Sequence, residues 1–149
     1  MKIEDEIQSN NFEDNHHKAV INISYTYSWL SNLLRCNFEK YNLTSQQFNV
    51  LRILRGQHPK PATINTIKER MVDKMSDASR IVDRLMQKEL VSRCTNNTDR
   101  RAVDIRITDK GLELLSKMDE QFKTSDLFKH NITEEEASTL SNLLDKMRG

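Results

Sequence analysis

At 149 residues the chain has room for one domain rather than two, and 36% hydrophobic with 30% charged residues suits a small, helix-rich, soluble fold. No apolar run approaches a membrane span, and the acidic, polar stretch from Met1 to Asn15 is unlike a secretory signal, so a cytoplasmic protein without a membrane partner is expected. The net charge of +1 hides an uneven distribution: 4 basic and 6 acidic residues from Met1 to Leu51 (−2), 14 and 8 from Arg52 to Lys110 (+6), 5 and 8 from Gly111 to Gly149 (−3), which confines the positive charge to the middle of the chain, where it suits phosphate.

Residues 1–15 show no periodicity and read as a flexible arm. A long amphipathic helix is expected over 18–41, with Ile23, Tyr27, Leu30, Leu34, Phe38 and Tyr41 on one stripe and Tyr25, Trp29 and Leu33 on a second. Two stripes place such a helix between neighbours or at an oligomer interface. Thr44-x-x-Gln47 is a capping box opening a second helix with Phe48, Leu51 and Leu54 inward, and Gly56, Pro59 and Pro61 should stop it. Thr63 caps a short third helix burying Ile64, Ile67 and Met71. A fourth helix is expected from about Ser76 to Lys88. Val103, Ile105 and Ile107 alternate with polar residues as in a half-buried strand, with Leu90 to Thr95 as its partner and the polar turn Asn96 to Arg101 between them. Thr108 caps a fifth helix carrying Leu112, Leu115, Met118 and Phe122 on one face. Thr133-x-x-Glu136 opens a last helix with Leu140, Leu143, Leu144 and Met147 inward. The fold class is mainly α with a small β-hairpin.

The third and fourth helices, joined through Val72–Met75, have the layout of a helix-turn-helix, whose second helix enters the major groove of DNA by its N-terminal end. Ala78, Ile81, Val82 and Leu85 form a narrow apolar arc on the fourth helix, leaving serine and arginine on the rest. Ser76, Asp77, Ser79 and Arg80 are the candidates for base edges, with Arg84 on the same polar face and Lys74 near phosphate. At the hairpin tip, Arg101 suits a narrow minor groove, Asp99 can orient a guanidinium, and Arg100 suits a phosphate. Duplex DNA is thus the expected partner.

These residues resemble the MarR family of bacterial regulators. The resemblance covers about Leu43 to Gly111 and rests on four stretches: Leu43-Thr-Ser-Gln-Gln-Phe48, Ser76-x-x-Ser79-Arg80-x-Val82-Asp83-Arg84-Leu85, Leu90-Val91, and Asp99-Arg100-Arg101 followed by Ile105-x-Ile107-Thr108-x-x-Gly111. It implies a winged helix-turn-helix lobe over 44–110 and interlocking N- and C-terminal dimerisation helices over 18–41 and 112–147. It also implies a homodimer on a palindromic operator, and an effector pocket for which Tyr25, Trp29, Phe48 and Phe122 are the candidate lining and a small aromatic or phenolic molecule the candidate ligand. Glu89 departs from the pattern, since that family usually carries glycine there. A left-handed cap is harder for a non-glycine residue, so either the cap is strained or the helix exits differently.

Other functions are less well supported. The histidines, His16, His17, His58 and His130, pair with no nucleophile at motif spacing, and three glycines form no phosphate loop, so neither catalysis nor a cofactor is expected. Cys36 and Cys94, with 57 residues between them, make a disulfide framework or zinc site improbable, and His16-His17 with Cys36 lacks a diagnostic metal spacing. A thiol-redox regulator of the same fold, using Cys36 or Cys94, and a protein-binding dimeric adaptor without DNA are the alternatives.

Overall fold

A computed structural model of the chain describes residues 1–95 and 103–149. They form two compact units, Met1–Asn49 and Val50–Gly149. The elements are α1 (Ile3–Ile7), α2 (Asn15–Glu39), α3 (Ser45–Gln57), α4 (Ile64–Arg70), α5 (Ala78–Gln87), β1 (Val91–Thr95), β2 (Val103–Ile107), α6 (Asp109–Gln121), a 3-10 turn (Thr124–Leu127) and α7 (Glu134–Arg148). The helices dominate and the two strands form one antiparallel hairpin, as the sequence leads one to expect.

Side-chain caps set most of the helix starts. The oxygens of Asp14, Thr63, Asp77, Thr108 and Thr133 each accept a hydrogen bond from a backbone N–H three residues on. Such a threonine cap contributes about 1 kcal/mol to its helix. Two boxes are reciprocal: Thr44 with Gln47 at α3, and Thr133 with Glu136 at α7.

In the first unit, the stretch expected to be a flexible arm contains α1. Ile3 is buried, Lys18 pairs with Glu4, and the Tyr25 hydroxyl donates to Glu6. That last bond holds the Tyr25 phenol above its ordinary pKa. One buried residue and two polar contacts to α2 accompany this short helix, which no periodicity announces.

The core of the second unit is built from Leu51 and Leu54 on α3, Ile67 and Met71 at α4, Val82 and Leu85 on α5, Ile105 on β2, and Leu115 and Met118 on α6. The hairpin pairs Val91 with Ile107, Arg93 with Ile105 and Thr95 with Val103. Ala62, just before α4, adds a one-residue bridge to Ile105 through two 2.9 Å backbone bonds. The wing is thereby tied at its base to the start of the helix-turn-helix.

Three expectations need correction. α3 passes through Gly56 to Gln57, so the prolines rather than the glycine mark its end. The fourth helix begins at Ala78 with Asp77 as its cap, not at Ser76, because the Asp77 carboxylate closes the first turn on the Arg80 N–H at 3.1 Å. Leu140, Leu143 and Met147 of α7 do not face inward: they are 51%, 55% and 57% exposed. Their helical spacing marks an apolar face, and within a single chain that face stays uncovered.

Glu89 resolves the alternative posed by the missing glycine. Its φ is 61°, so the residue itself adopts the left-handed cap. The Glu89 N–H donates to Met86 O at 2.9 Å and the Leu90 N–H to Leu85 O at 3.0 Å, the two bonds of a Schellman ending. The conformation is held from outside: the Thr108 hydroxyl donates to Glu89 O at 2.8 Å, and Lys110 Nζ sits 2.8 Å from the Glu89 carboxylate, which it holds below its usual pKa.

Candidate nucleic-acid interface

α4 and α5 are joined by residues 71–77, and an aspartate turn fixes the path between them. Asp73 accepts from the Met75 N–H at 3.0 Å and from the Ser76 hydroxyl at 2.8 Å. Asp77 then caps α5. Ala78, Val82 and Leu85 are buried, which turns Ser79, Arg80, Asp83, Arg84 and Gln87 outward. The polar face expected from the wheel is therefore the exposed face.

The acidic residues around this face are engaged within the protein. Asp73 serves the turn, Asp77 serves the cap, and Asp83 pairs with Arg93 of β1 at 3.0 Å. Arg80 and Arg84, one helical turn apart, remain exposed. The carboxylates of Asp73, Asp77 and Asp83 keep their charge, but each already has a partner within the protein.

The Asp83–Arg93 pair and the Arg106 guanidinium, which donates to Pro59 O at 2.6 Å, position the wing and were not singled out in the sequence. The first sets β1 against α5 and the second sets β2 against the loop after α3. No motif signals either contact, since both partners lie in different elements.

The expected site residues fall into three groups. Ser76, Asp77, Ser79, Arg80 and Arg84 are brought together on α5 and its leading turn, with Asp77 committed to the cap and Ser76 bonded to Asp73. Lys74 lies in the same turn, exposed, with its ammonium on Glu69 O. Asp99, Arg100 and Arg101 lie outside the described residues, which resume at Val103. Of the candidate effector residues, Tyr25 and Trp29 are exposed on α2, Phe48 stacks on Phe38 with ring centroids 4.4 Å apart, and Phe122 ends α6 in the other unit. Cys36 and Cys94 are both exposed and unpaired with each other. Among the described residues no group of three or more metal-ligating side chains forms, and no helix is long and apolar enough to cross a membrane.

The family model of the MarR family matches residues 43–103. The HTH-type transcriptional regulator MhqR of Bacillus subtilis (strain 168) is 30% identical over 99 residues, covering 66% of this chain and 67% of that one. The chain belongs to the MarR family. It is accordingly a transcription regulator of the DNA-binding winged-helix type and not an enzyme. A MarR-like transcription regulator from Bacillus cereus ATCC 10987 superposes with a TM-score of 0.75 at 26% identity, covering 90% of this chain and 96% of that one. A mutant MarR from E. coli, crystallised with operator DNA, superposes with a TM-score of 0.73 at 27% identity, covering 84% and 89%. The MarR match ends inside the hairpin, so it spans the helix-turn-helix and β1 but not α6 or α7.

Proposed function

We propose that this MarR-family protein is a cytoplasmic repressor that binds a palindromic operator as a homodimer, with 44–110 as its DNA-binding lobe and 18–41 and 112–147 as its dimerisation helices. α5 enters the major groove, where Arg80 and Ser79 meet base edges, Ser76 and Asp77 lie beside them with their side chains already bonded to Asp73 and the Arg80 N–H, and Arg84 and Lys74 approach phosphate. Arg101 enters the minor groove, oriented by Asp99, and Arg100 meets a phosphate. The observation that carries this reading is the exposed polar face of α5, led by Arg80, with its neighbouring carboxylates internally engaged. The operator complex of the E. coli relative, which superposes over most of both chains, supports it.

Footprinting on the DNA upstream of the protein's own gene tests the reading. The expected result is a protected dyad whose affinity falls steeply with salt, roughly a thousandfold between about 50 and 200 mM, as counterions are released from neutralised phosphates. Absence of protection, or a flat salt response, would contradict it.

Dimerisation is supported by the exposed apolar faces of α2 and α7, which carry Val20, Ile23, Tyr27 and Trp29 and, separately, Leu140, Leu143 and Met147. A second copy is the partner that symmetry supplies most simply. Leu143→Glu is expected to shift the protein from dimer to monomer in sedimentation equilibrium and to weaken operator binding at least tenfold, because one lobe then binds alone. A wild-type protein that stays monomeric at micromolar concentration refutes the dimer.

The same reading includes an effector, a small aromatic or phenolic molecule, with Tyr25 and Trp29 of α2 as candidate contacts. Phe48 is the weaker candidate, since its ring already stacks on Phe38. Ligand binding that leaves DNA affinity unchanged argues against this linkage.

A further inference from the structure

Outside the apolar face of α7, the large hydrophobic side chains left exposed among the described residues of the second unit are Val72 and Met75, at 88% and 93%. Both lie in the turn that leads into α5. Single apolar side chains on a surface need no explanation. These two stand at one place, among basic and polar side chains, at the end of the recognition helix that leads into a DNA groove.

The turn does not leave Met75 loose. Its N–H is held by Asp73 Oδ1 at 3.0 Å, and the same carboxylate takes the Ser76 hydroxyl at 2.8 Å. Ser76 N–H also meets Asp73 O at 3.3 Å. The backbone is therefore fixed on both sides of a side chain that projects almost wholly into solvent, two residues ahead of the Asp77 cap. Lys74 flanks it in the sequence, and Arg80 follows on the first turn of α5. A polyanionic partner fits these cations, and an apolar feature on that partner fits Met75.

Duplex DNA has one such feature in its major groove, the C5-methyl group of thymine. A thioether side chain is long, adaptable and polarisable enough to cover a methyl group at the edge of a base. We infer that Met75 reads a thymine methyl in the major groove, with Val72 bordering the same contact, so that this turn contributes sequence choice of its own beside the polar face of α5. The inference rests on the DNA-binding reading above and adds a specificity-determining residue to it.

The test uses a duplex that the wild-type protein enriches from a random pool of double-stranded DNA. The duplex is synthesised with thymine and again with uracil at each thymine of the enriched motif, which deletes the methyl groups and keeps every hydrogen-bonding group. The wild-type protein should bind the uracil duplex roughly threefold to tenfold more weakly, the scale set by one or two buried methyl groups. Substituting uracil at one thymine at a time should confine the loss to one position in each half-site. Met75→Ala should bind the thymine duplex more weakly by a similar factor and should no longer distinguish the two, while Met75→Leu should keep the distinction. Exposure at 93% makes loss of folding in either variant unexpected, and a thermal melt checks it. Equal binding of both duplexes by the wild type overturns the inference while leaving DNA binding intact. A distinction retained in full by Met75→Ala overturns it as well, since uracil then acts through DNA shape or another residue. A protein that enriches no duplex overturns the DNA-binding reading and this inference together.

Discussion

Replacing Arg80 with alanine should lower affinity for the enriched duplex by about 1–3 kcal/mol and relax the preference at one position of each half-site. Several features converge on this residue. It sits in the first turn of α5, and its backbone N–H is the group capped by Asp77, so its Cα is fixed relative to the turn. Its side chain is exposed, whereas Arg93, Arg106 and Arg55 are used within the protein, on Asp83, Pro59 O and Asp119. Arginine can present two parallel donors to guanine, and alanine presents none. Arg84→Ala, one turn further along, should instead weaken binding to every sequence similarly and reduce the salt slope by about one unit, as expected of a phosphate contact. Binding constants on the selected duplex and on point-substituted duplexes separate these outcomes. Equal loss on all sequences for Arg80→Ala assigns it to phosphate, and no loss removes it from the interface.

The largest stability effect is expected at Gly111. A Cβ built there lies 2.4 Å from the backbone oxygen of Leu90 and 2.7 Å from Ile107 Cγ1, both closer than packed atoms can approach. Leu90 O cannot simply move away, because it accepts the Thr108 N–H at 3.1 Å and Leu90 directly precedes β1. Gly111→Ala should therefore destabilise the protein by about 1–3 kcal/mol through overpacking. A fall in Tm on the order of 5–10 °C is the corresponding readout. DNA affinity should fall with it, since Gly111 is where α6 meets the base of the wing. Gly56→Ala is the matched control. Nothing lies within 4 Å of a Cβ at that position in α3, so alanine should be neutral or stabilising by up to about 1 kcal/mol. Similar melting of the two variants would contradict the assignment of a steric role to Gly111.

Gly111 also shows where sequence reading succeeds and where it stops. The stretch Thr108-x-x-Gly111 marks the family, and the cap is legible because the Thr108 oxygen and the Gly111 N–H are three residues apart. That the glycine is needed for a close approach of Leu90 cannot be read from that spacing, because Leu90 is 21 residues away. Glu89 is similar. Its place between helix and wing is visible in the sequence, but only the Schellman bonds and the Thr108 hydroxyl show that a glutamate occupies the left-handed cap.

The sequence by itself determined the order and type of the main elements, the caps at Thr44, Thr63, Thr108 and Thr133, and the polar face of α5. Each of these is a local property, set by side chains within three or four positions of one another. The middle third's positive charge and the family markers belong to the same class. Tertiary structure alone decided which charges remain available, because the engagement of Asp83 by Arg93 and of Arg106 by Pro59 joins elements distant in sequence. It decided that residues 3–7 form a helix with Ile3 buried and that the apolar face of α7 stays exposed in a single chain. The physical reason is common to all of these. Helical periodicity reports that a face is apolar but not what covers it, and composition reports a charge but not whether it already has a partner.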